Sequence, residues 1–230
     1  MFKLKRILII GGTNGIGYML SKKFSEKGYE VIAVGRKIRL PKLKNVKYLF
    51  VDLLSKKKFK LFLLKLKKIG YFKLVIHCIG GSNGLRNLDY NTIFYLWNFN
   101  CGIIIKINKF LIENKLLQKK TQLIHISSKS TENMSGSAPY VLSKMYLEKY
   151  TSLLSENLRE KEIAVNCLKL GIVALPNNNW FKCKRDNINK YKKNIQIHNS
   201  NKEIKSHEIF NKIFNLFKSK DFKTGRILKI

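Results

Sequence analysis

The sequence predicts a single α/β domain, built as a doubly wound parallel sheet with helices on both faces. Short apolar runs alternate along the chain with longer segments whose apolar residues recur at helical spacing. This order implies right-handed crossovers between parallel strands. With 230 residues and a hydrophobic content of 45%, the chain is long enough to bury the core of one such domain.

The apolar runs predict buried strands at residues 6–10, 30–34, 47–51, 73–79, 121–127, 163–169 and 226–230. The longer periodic segments predict helices at residues 16–27, 56–68, 92–114, 138–159 and 205–218. Residues 177–201 are polar and weakly periodic, so we expect either a long loop or a mobile lid there. One domain is therefore expected over residues 1–230.

Charge is the strongest compositional feature. Lys and Arg number 46 against 14 Asp and Glu, which gives a formal net charge of +32. Such an excess attracts nucleic acid or an anionic membrane surface. The lysines are nevertheless spread along the whole chain, and in the dense stretch 55–70 they fit the solvated face of an amphipathic helix. We therefore expect no specific nucleic-acid partner.

Other features limit the class of protein. No stretch reaches the roughly 20 uncharged apolar residues of a membrane-spanning helix, so no membrane span is predicted and a cytoplasmic protein is expected. The four cysteines lack the paired spacing of a zinc site, and we expect reduced, mostly buried thiols. The four histidines, which we expect to be structural or exposed, lack metal-ligand spacing as well, so no metal site is predicted.

The segment GGTNGIG, residues 11–17, joins the first predicted strand to the first predicted helix. Gly11, Gly15 and Gly17 have no side chains, so backbone N–H groups and the positive end of the helix dipole can approach a pyrophosphate. A glycine-rich turn directly after a strand is typical of a dinucleotide-binding Rossmann fold. The remaining residues of the turn that are expected to contact this cofactor are Thr13, Asn14 and Ile16.

The end of the second strand bears on the choice of cofactor. A carboxylate at this position binds the ribose hydroxyls of NAD, whereas Gly35 followed by Arg36 and Lys37 leaves room and positive charge for a 2′-phosphate. The sequence therefore favours NADP, with Arg36 and Lys37 as its ligands. NAD stays possible, because both cations could belong to the general excess of lysine.

A series of motifs resembles those of the short-chain dehydrogenase/reductase family, over nearly the whole chain. FVDLL, residues 50–54, resembles the segment that follows the family's third strand, which implies that Asp52 and Leu53 lie beside the adenine. VIHCIGG, residues 75–81, occupies the place of the family's Asn-Asn-Ala-Gly segment. His77 and Cys78 replace the asparagines there, while Gly80 is retained as a cofactor contact.

The resemblance also implies a catalytic set. FNCG (99–102) is similar to the segment with the active-site Asn, here Asn100, and YVLSK (140–144) resembles the Tyr-x-x-x-Lys pair. LIHISS (123–128) is similar to the strand that delivers the catalytic Ser. Ser127 fits the family's commoner spacing to Tyr140, but we choose Ser128 because strand side chains alternate and the family's second serine faces the cofactor.

These residue types suit proton transfer. Tyr140 and Lys144 lie one helical turn apart on one face, so we expect the ammonium to lower the pKa of the phenol and to hold the cofactor ribose. Ser128 is expected to stabilise negative charge on the substrate oxygen. In the family, the position of Asn100 implies a bound water that connects Lys144 to solvent.

The later chain departs further from the family pattern. AVNCLKLGIVALPNNNW, residues 164–180, corresponds to Asn-x-x-x-Pro-Gly-x-x-x-Thr, with Leu170 in place of the proline and Leu175 in place of the threonine. Gly171 is retained. The resemblance implies that Gly171, Ile172 and Val173 still offer contacts to the nicotinamide.

The resemblance implies an NADP-dependent oxidoreductase that transfers a hydride between nicotinamide and a carbonyl or alcohol substrate, and a homo-oligomer, either a dimer or a tetramer. Several stretches resemble a bacterial branch of surface-polysaccharide and lipopolysaccharide biosynthesis, which implies a sugar or nucleotide-sugar substrate. The alternative is a cofactor-binding protein without redox activity, whose basic surface binds nucleic acid or anionic membrane. Retention of Asn100, Ser128, Tyr140 and Lys144 favours the enzyme.

Overall fold

In the computed structural model, which describes residues 5–38, 40–176, 178–199 and 202–230, seven parallel strands form one sheet. The strands are β1 (Arg6–Ile10), β2 (Glu30–Gly35), β3 (Val46–Phe50), β4 (Phe72–His77), β5 (Leu117–Ser128), β6 (Ala164–Leu170) and β7 (Ile227–Lys229). Their order is β3-β2-β1-β4-β5-β6-β7, so the chain winds outward from β1 in both directions. The predicted doubly wound parallel sheet is confirmed.

Helices cover both faces of this sheet. They are α1 (Gly15–Glu26), α2 (Lys56–Ile69), α3 (Tyr90–Trp97), α4 (Ile103–Glu113), α5 (Ser130–Asn133), α6 (Ala138–Asn157), α7 (Asn179–Asp186), α8 (Ile188–Asn199) and α9 (Ser206–Lys218). Every strand and helix predicted from the periodicity has a counterpart among them. Among the described residues, no helix combines the length and the apolar character needed to cross a membrane.

A separate apolar core lies on each face of the sheet. Side chains on β1 alternate, so Ile7 and Ile9 belong to the core beneath α1 and α9, while Leu8 and Ile10 belong to the core beneath α2 and α4. In the first core, the ring of Phe24 contacts three aromatic residues of α9, namely Phe210, Phe214 and Phe217. Burial on both sides explains why the central strands read as continuous apolar runs.

The helix predicted at residues 92–114 is interrupted. A π turn, Asn98–Gly102, separates α3 from α4, and the N–H of Ile103 bonds to the carbonyl of Asn98, five residues earlier. A π turn adds one residue to the helical winding and is frequent at functional sites. Here it contains Asn100, whose side chain is fully buried.

The polar stretch 177–201 is helical where the structure describes it, which corrects the expectation of a long loop. The Asn178 side chain accepts the Phe181 N–H at 2.7 Å and so caps α7. The next helix, α8, buries Tyr191 and Ile195 against Ile172. Few of the residues in this stretch are apolar, which explains the weak periodicity. Residues 177, 200 and 201 lie outside the described residues, and the lid stays a prediction.

Two histidines are buried in the centre of the fold and linked by Asn108. His77 Nε2 lies 2.8 Å from Asn108 Oδ1, and Asn108 Nδ2 lies 3.0 Å from His125 Nε2. On the far side, His125 Nδ1 lies 2.7 Å from Thr151 Oγ1. Since an amide oxygen accepts and an amide nitrogen donates, His77 carries its proton on Nε2 and His125 on Nδ1. Burial lowers the pKa of His77 to about 4, and that of His125 well below its usual range.

We expect the free energy of unfolding to decrease as the pH falls from about 6.5 to about 4. The unfolded chain protonates its histidines in this window, whereas folded His77 stays neutral down to about pH 4. His77 alone should account for roughly 3 kcal/mol. Urea unfolding at a series of pH values should show a smaller decrease for His77→Asn, and a wild-type decrease for the exposed control His207→Asn. A decrease in His77→Asn equal to that of the wild type would contradict this account.

Candidate active site

The glycine turn joins β1 to α1 at the carboxyl edge of the sheet. A Cβ atom on Gly17 would lie 2.1 Å from the Gly11 carbonyl oxygen, so only glycine allows α1 to begin this close to the turn. In the described structure, the N-cap residue Asn14 makes no capping hydrogen bond, and the first turn of α1 holds no acidic residue. The first N–H groups of α1 and its positive dipole end are therefore available to an anion.

A cavity of about 690 Å³ extends from this turn across the ends of β2, β3 and β4. Asn14 Oδ1, in its wall, is buried and has no partner among the described residues, so it can accept a hydrogen bond from a ligand hydroxyl. These features fit a dinucleotide. The predicted cofactor residues that line the cavity are Gly11, Thr13, Asn14, Gly15, Ile16, Arg36, Lys37, Asp52, Leu53 and Gly80.

A second cavity, of about 550 Å³, adjoins the first and shares Ile16 and Gly80 with it. The predicted residues that line this second cavity are Ser128, Tyr140, Lys144, Gly171 and Val173. Leu175 instead packs into the core beneath α1 and α9. The structure therefore brings the predicted nicotinamide contacts and the predicted catalytic side chains to one place, next to the glycine turn.

Asn100 lies behind Gly80 and holds the backbone that follows it. Its Oδ1 accepts the Gly81 N–H at 2.8 Å, and its Nδ2 donates to the carbonyls of Gly81 at 3.2 Å and Leu96 at 2.9 Å. A Cβ atom on Gly80 would lie 2.7 Å from both Asn100 Oδ1 and Lys144 Nζ. Glycine at position 80 is therefore required for the approach of these two side chains.

The two serines at the end of β5 point in different directions. The Ser128 side chain is directed toward Tyr140, in the first turn of α6, and its hydroxyl oxygen also lies 2.8 Å from Ser130 Oγ. Ser127 is buried, and its hydroxyl donates to Glu148 Oε1 at 2.6 Å. Alternation along the strand thus presents Ser128, rather than Ser127, to the tyrosine.

Lys144 lies one turn after Tyr140 on α6 and is almost completely buried. Its Nζ donates to the Ile126 carbonyl at 2.9 Å and lies 5.9 Å from the centre of the Tyr140 ring. Burial lowers the pKa of Lys144 to about 8, so the ammonium form predominates at neutral pH.

The expected lowering of the Tyr140 pKa by Lys144 is not found among the described residues. Burial raises the pKa of the Tyr140 phenol, and the hydrogen bond with Ser128 only opposes this effect. The reason is that the ammonium is directed to the Ile126 carbonyl. The phenol is therefore neutral at pH 7 and holds a proton that it can donate.

Several residues around the site were missed by the sequence reasoning. The outer wall of the second cavity is formed by side chains from distant parts of the chain, which include Ser82, Arg86, Lys129, Asn179, Trp180 and Asn194. Asn179, Trp180 and Asn194 lie in the polar stretch 177–201, for which a lid was one expectation, whereas Ser82, Arg86 and Lys129 belong to no motif. Glu148, four residues after Lys144, could have been recognised as a third member of the same helix face.

Comparison with known proteins agrees with this geometry. Solved structures with the same fold include a short chain dehydrogenase family protein from Francisella tularensis subsp. tularensis SCHU S4, with 21% identity and a TM-score of 0.82 over 99% of this chain and 97% of that chain. The Pseudomonas aeruginosa RhlG/NADP active-site complex has 17% identity and a TM-score of 0.84 over 98% and 94%. ElxO with NADP bound has 21% identity and a TM-score of 0.84 over 99% and 97%. No curated protein matches the chain significantly.

The family model of the short chain dehydrogenases matches residues 5–184, which is most of the chain. The match spans the glycine turn, the cofactor cavity and the cluster of Ser128, Tyr140 and Lys144. The chain therefore belongs to the short chain dehydrogenase family and is an NAD(P)-dependent oxidoreductase.

Proposed function

We propose that the protein is an NADP-dependent oxidoreductase that transfers a hydride between nicotinamide and a carbonyl or alcohol group of a sugar or nucleotide-linked sugar. The observation that carries the proposal is the position of Ser128, Tyr140 and Lys144 together on a cavity that adjoins the glycine-turn cavity. The two cavities offer adjacent places for a dinucleotide and for the group that it reduces. The alternative, a binding protein without redox activity, is not favoured by membership of a dehydrogenase family.

The preference for NADP is supported by charge at the end of β2. Arg36 and Lys37 are exposed on the wall of the cofactor cavity, where a 2′-phosphate attached to the adenosine ribose would meet them. RhlG and ElxO are both similar structures that hold NADP. A similar structure from Leptospira borgpetersenii holds NAD+. We therefore assign the preference to Arg36 and Lys37 rather than to the fold.

Each side chain of the site has a separate role in the reaction. The bound nicotinamide supplies or accepts the hydride. In the direction of reduction, Ser128 holds the substrate oxygen and Tyr140, which is neutral at pH 7, donates its proton to it. Lys144 gives one N–H to the Ile126 carbonyl and can offer its other N–H groups to the cofactor ribose. Asn100 keeps Gly80 and Gly81 in place beside this lysine.

The lining of the second cavity supports a polar, anionic substrate. Arg86 and Lys129 contribute positive charge, and the cavity wall in the described residues contains no Asp or Glu. Asn179 and Asn194 offer amide groups to substrate hydroxyls, and Trp180 offers an aromatic face. A sugar that carries phosphate or a nucleoside diphosphate has both the hydroxyls and the charge that this wall would bind.

The quaternary structure is part of the same proposal. The chain carries a net charge of +32, yet the segment of α3, YNTIFYLW, holds no charged residue. Large apolar side chains are exposed there and on the adjoining face of α6, among them Tyr90, Phe94, Leu142, Tyr146 and Leu153. Exposed apolar side chains on two helices that pack together are typical of a subunit interface. We propose that it joins two copies of the chain in a homodimer or in a tetramer built from such dimers.

Tyr140→Phe is expected to lower kcat by at least about 100-fold, because it removes the transferable proton. NADPH affinity should stay close to that of the wild type. NADPH oxidation is followed with nucleotide-linked and phosphorylated keto sugars, and we expect these to react faster than the same keto sugars without phosphate. Tyr146→Phe, on the exposed face of α6, is the matched control. A loss below about tenfold for Tyr140→Phe would exclude the tyrosine as proton donor.

Arg36→Asp is expected to weaken NADP binding by about 10- to 100-fold, the value of one charge-assisted hydrogen bond. NAD binding should improve, since the new carboxylate can accept from ribose hydroxyls. Fluorescence titration of both cofactors measures the two effects. Lys42→Asp, an exposed substitution outside the cavity, controls for net charge. Identical NADP titration curves for wild type and Arg36→Asp would show that Arg36 does not bind the 2′-phosphate. Lys37 would then be the candidate for that contact.

We expect light scattering to give a mass of two or four times the 26.8 kDa of the chain. Phe94→Lys should shift the mass toward that of the monomer, because it places a charge in the apolar surface of α3. The exposed apolar residue Phe222, far from α3 in the sequence, provides the control Phe222→Lys. A monomeric wild-type protein at micromolar concentration would refute the interface.

A further inference from the structure

Three residues of α6 lie in a row on the helix face that packs against the end of β5. Tyr140, Lys144 and Glu148 follow one another at intervals of four residues and therefore lie on one face of the helix. Each contacts a different group of the strand: Tyr140 the Ser128 side chain, Lys144 the Ile126 carbonyl, and Glu148 the Ser127 hydroxyl. The first two belong to the site described above, whereas the third has no role in it so far.

The carboxylate of Glu148 joins α6 to three other elements and is only 8% exposed. Its Oε1 accepts the Ser127 hydroxyl of β5 at 2.6 Å and lies 2.9 Å from Thr131 Oγ1 of α5. Its other oxygen, Oε2, lies 3.0 Å from Lys169 Nζ on β6. A buried carboxylate needs a cation and hydrogen-bond donors of this kind, because desolvation would otherwise make its charge unfavourable.

These contacts surround the turn that carries Ser128. Thr131 Oγ1 lies 2.9 Å from the Ser128 carbonyl oxygen as well as from Glu148 Oε1. The Ser128 hydroxyl oxygen accepts from the Ser130 N–H at 3.2 Å. Through Ser127 on one side and Thr131 on the other, Glu148 therefore fixes the backbone on both sides of Ser128.

Glu148 also places a carboxylate one helical turn from Lys144 on the same face of α6, while its Oε2 pairs with Lys169. The other titratable groups that face this lysine are Cys78, Cys101, Cys167, His125 and Tyr140. Burial raises the pKa of each of the three thiols to about 12, so they are neutral near pH 8. Burial keeps the His125 imidazole and the Tyr140 phenol neutral in that range too.

We propose that Glu148 is a positioning residue of the active site, which holds the Ser128 turn against α6 and places a carboxylate one helical turn from Lys144. Its effect on turnover rests on the proposed oxidoreductase function, whereas its effect on Lys144 does not. Lys169 is the cation that pairs with this buried carboxylate, with its Nζ 3.0 Å from Glu148 Oε2. A second pair, between Lys169 and Glu132, continues the network toward the surface at 3.4 Å.

The direct test is the titration of Lys144, followed by NMR with ¹³C-labelled lysine and assigned by the signal lost in Lys144→Arg. In the wild type we expect a midpoint near pH 8. Glu148→Gln should move it to lower pH by about 0.5 unit or more, because the ammonium loses a nearby negative charge. Glu156→Gln makes the same change on the same helix at an exposed position and should leave the midpoint unchanged. An unchanged midpoint in Glu148→Gln would overturn the proposal.

A second variant separates this role from simple stabilisation. Glu148→Gln removes the negative charge that pairs with the largely buried Lys169. The variant is therefore expected to have a lower free energy of unfolding. The double variant Glu148→Gln/Lys169→Met removes the buried cation as well and should recover stability. We expect its Lys144 midpoint to stay low and its kcat to stay at least tenfold reduced, with a nearly unchanged KM. Recovery of both the wild-type midpoint and the wild-type kcat would show that Glu148 is only structural, and would refute the proposal.

The two readouts also separate this inference from the proposed function. If no carbonyl substrate reacts with the wild type, the proposed function fails, but a shifted Lys144 midpoint in Glu148→Gln still supports the role of Glu148. If the wild type turns over a substrate and the midpoint does not move, the role of Glu148 fails and the proposed function stands.

Discussion

The position of the candidate active site depends on the close contact between the start of α1 and the glycine turn after β1. Without a side chain at Gly17, the helix can begin against the Gly11 carbonyl, and its positive end faces the cavity at the carboxyl edge of the sheet. β1 is also the strand from which the chain winds outward in both directions, so the loops on either side of the turn diverge and leave a crevice. Both cavities open at this crevice.

The half of the sheet that carries Ser127 and Ser128 has a polar interior as well as an apolar one. His77, Asn108, His125 and Thr151 form one buried chain of hydrogen bonds. A second polar cluster surrounds Glu148. Such groups stabilise a fold less than apolar residues of the same size, but their directional bonds allow few alternative arrangements. Rigid placement of strand ends against α6 is what a proton-transfer site requires.

The sheet could be predicted because its central strands are buried on both faces and read as apolar runs. The candidate catalytic residues could be located because each lies in a compact motif on a strand end or a helix face. The outer wall of the second cavity could not be predicted in full, since Arg86 and Lys129 come from separate segments that only the tertiary fold brings together. The helices α7 and α8 were missed for a different reason, because their burial is restricted to a few side chains such as Tyr191.

The polar network around Glu148 escaped prediction because its partners are distant in sequence and ordinary in type. A glutamate on a helix is most often solvated, and only the position four residues after Lys144 distinguishes this one. The direction of the Lys144 side chain could not be predicted from the sequence either. The sequence places Tyr140 and Lys144 on one helix face, but the contact of Lys144 with the Ile126 carbonyl is a property of the packed strand.

The π turn at Asn98–Gly102 limits which deletions this helix can accept. A π turn equals a regular helix with one additional residue, and each helical residue turns the chain by about 100°. Loss of a single residue from this turn would therefore restore an uninterrupted helix and at the same time rotate one of its halves away from its present neighbours. A deletion in this helix would therefore disturb the contacts that Asn100 makes with Gly81.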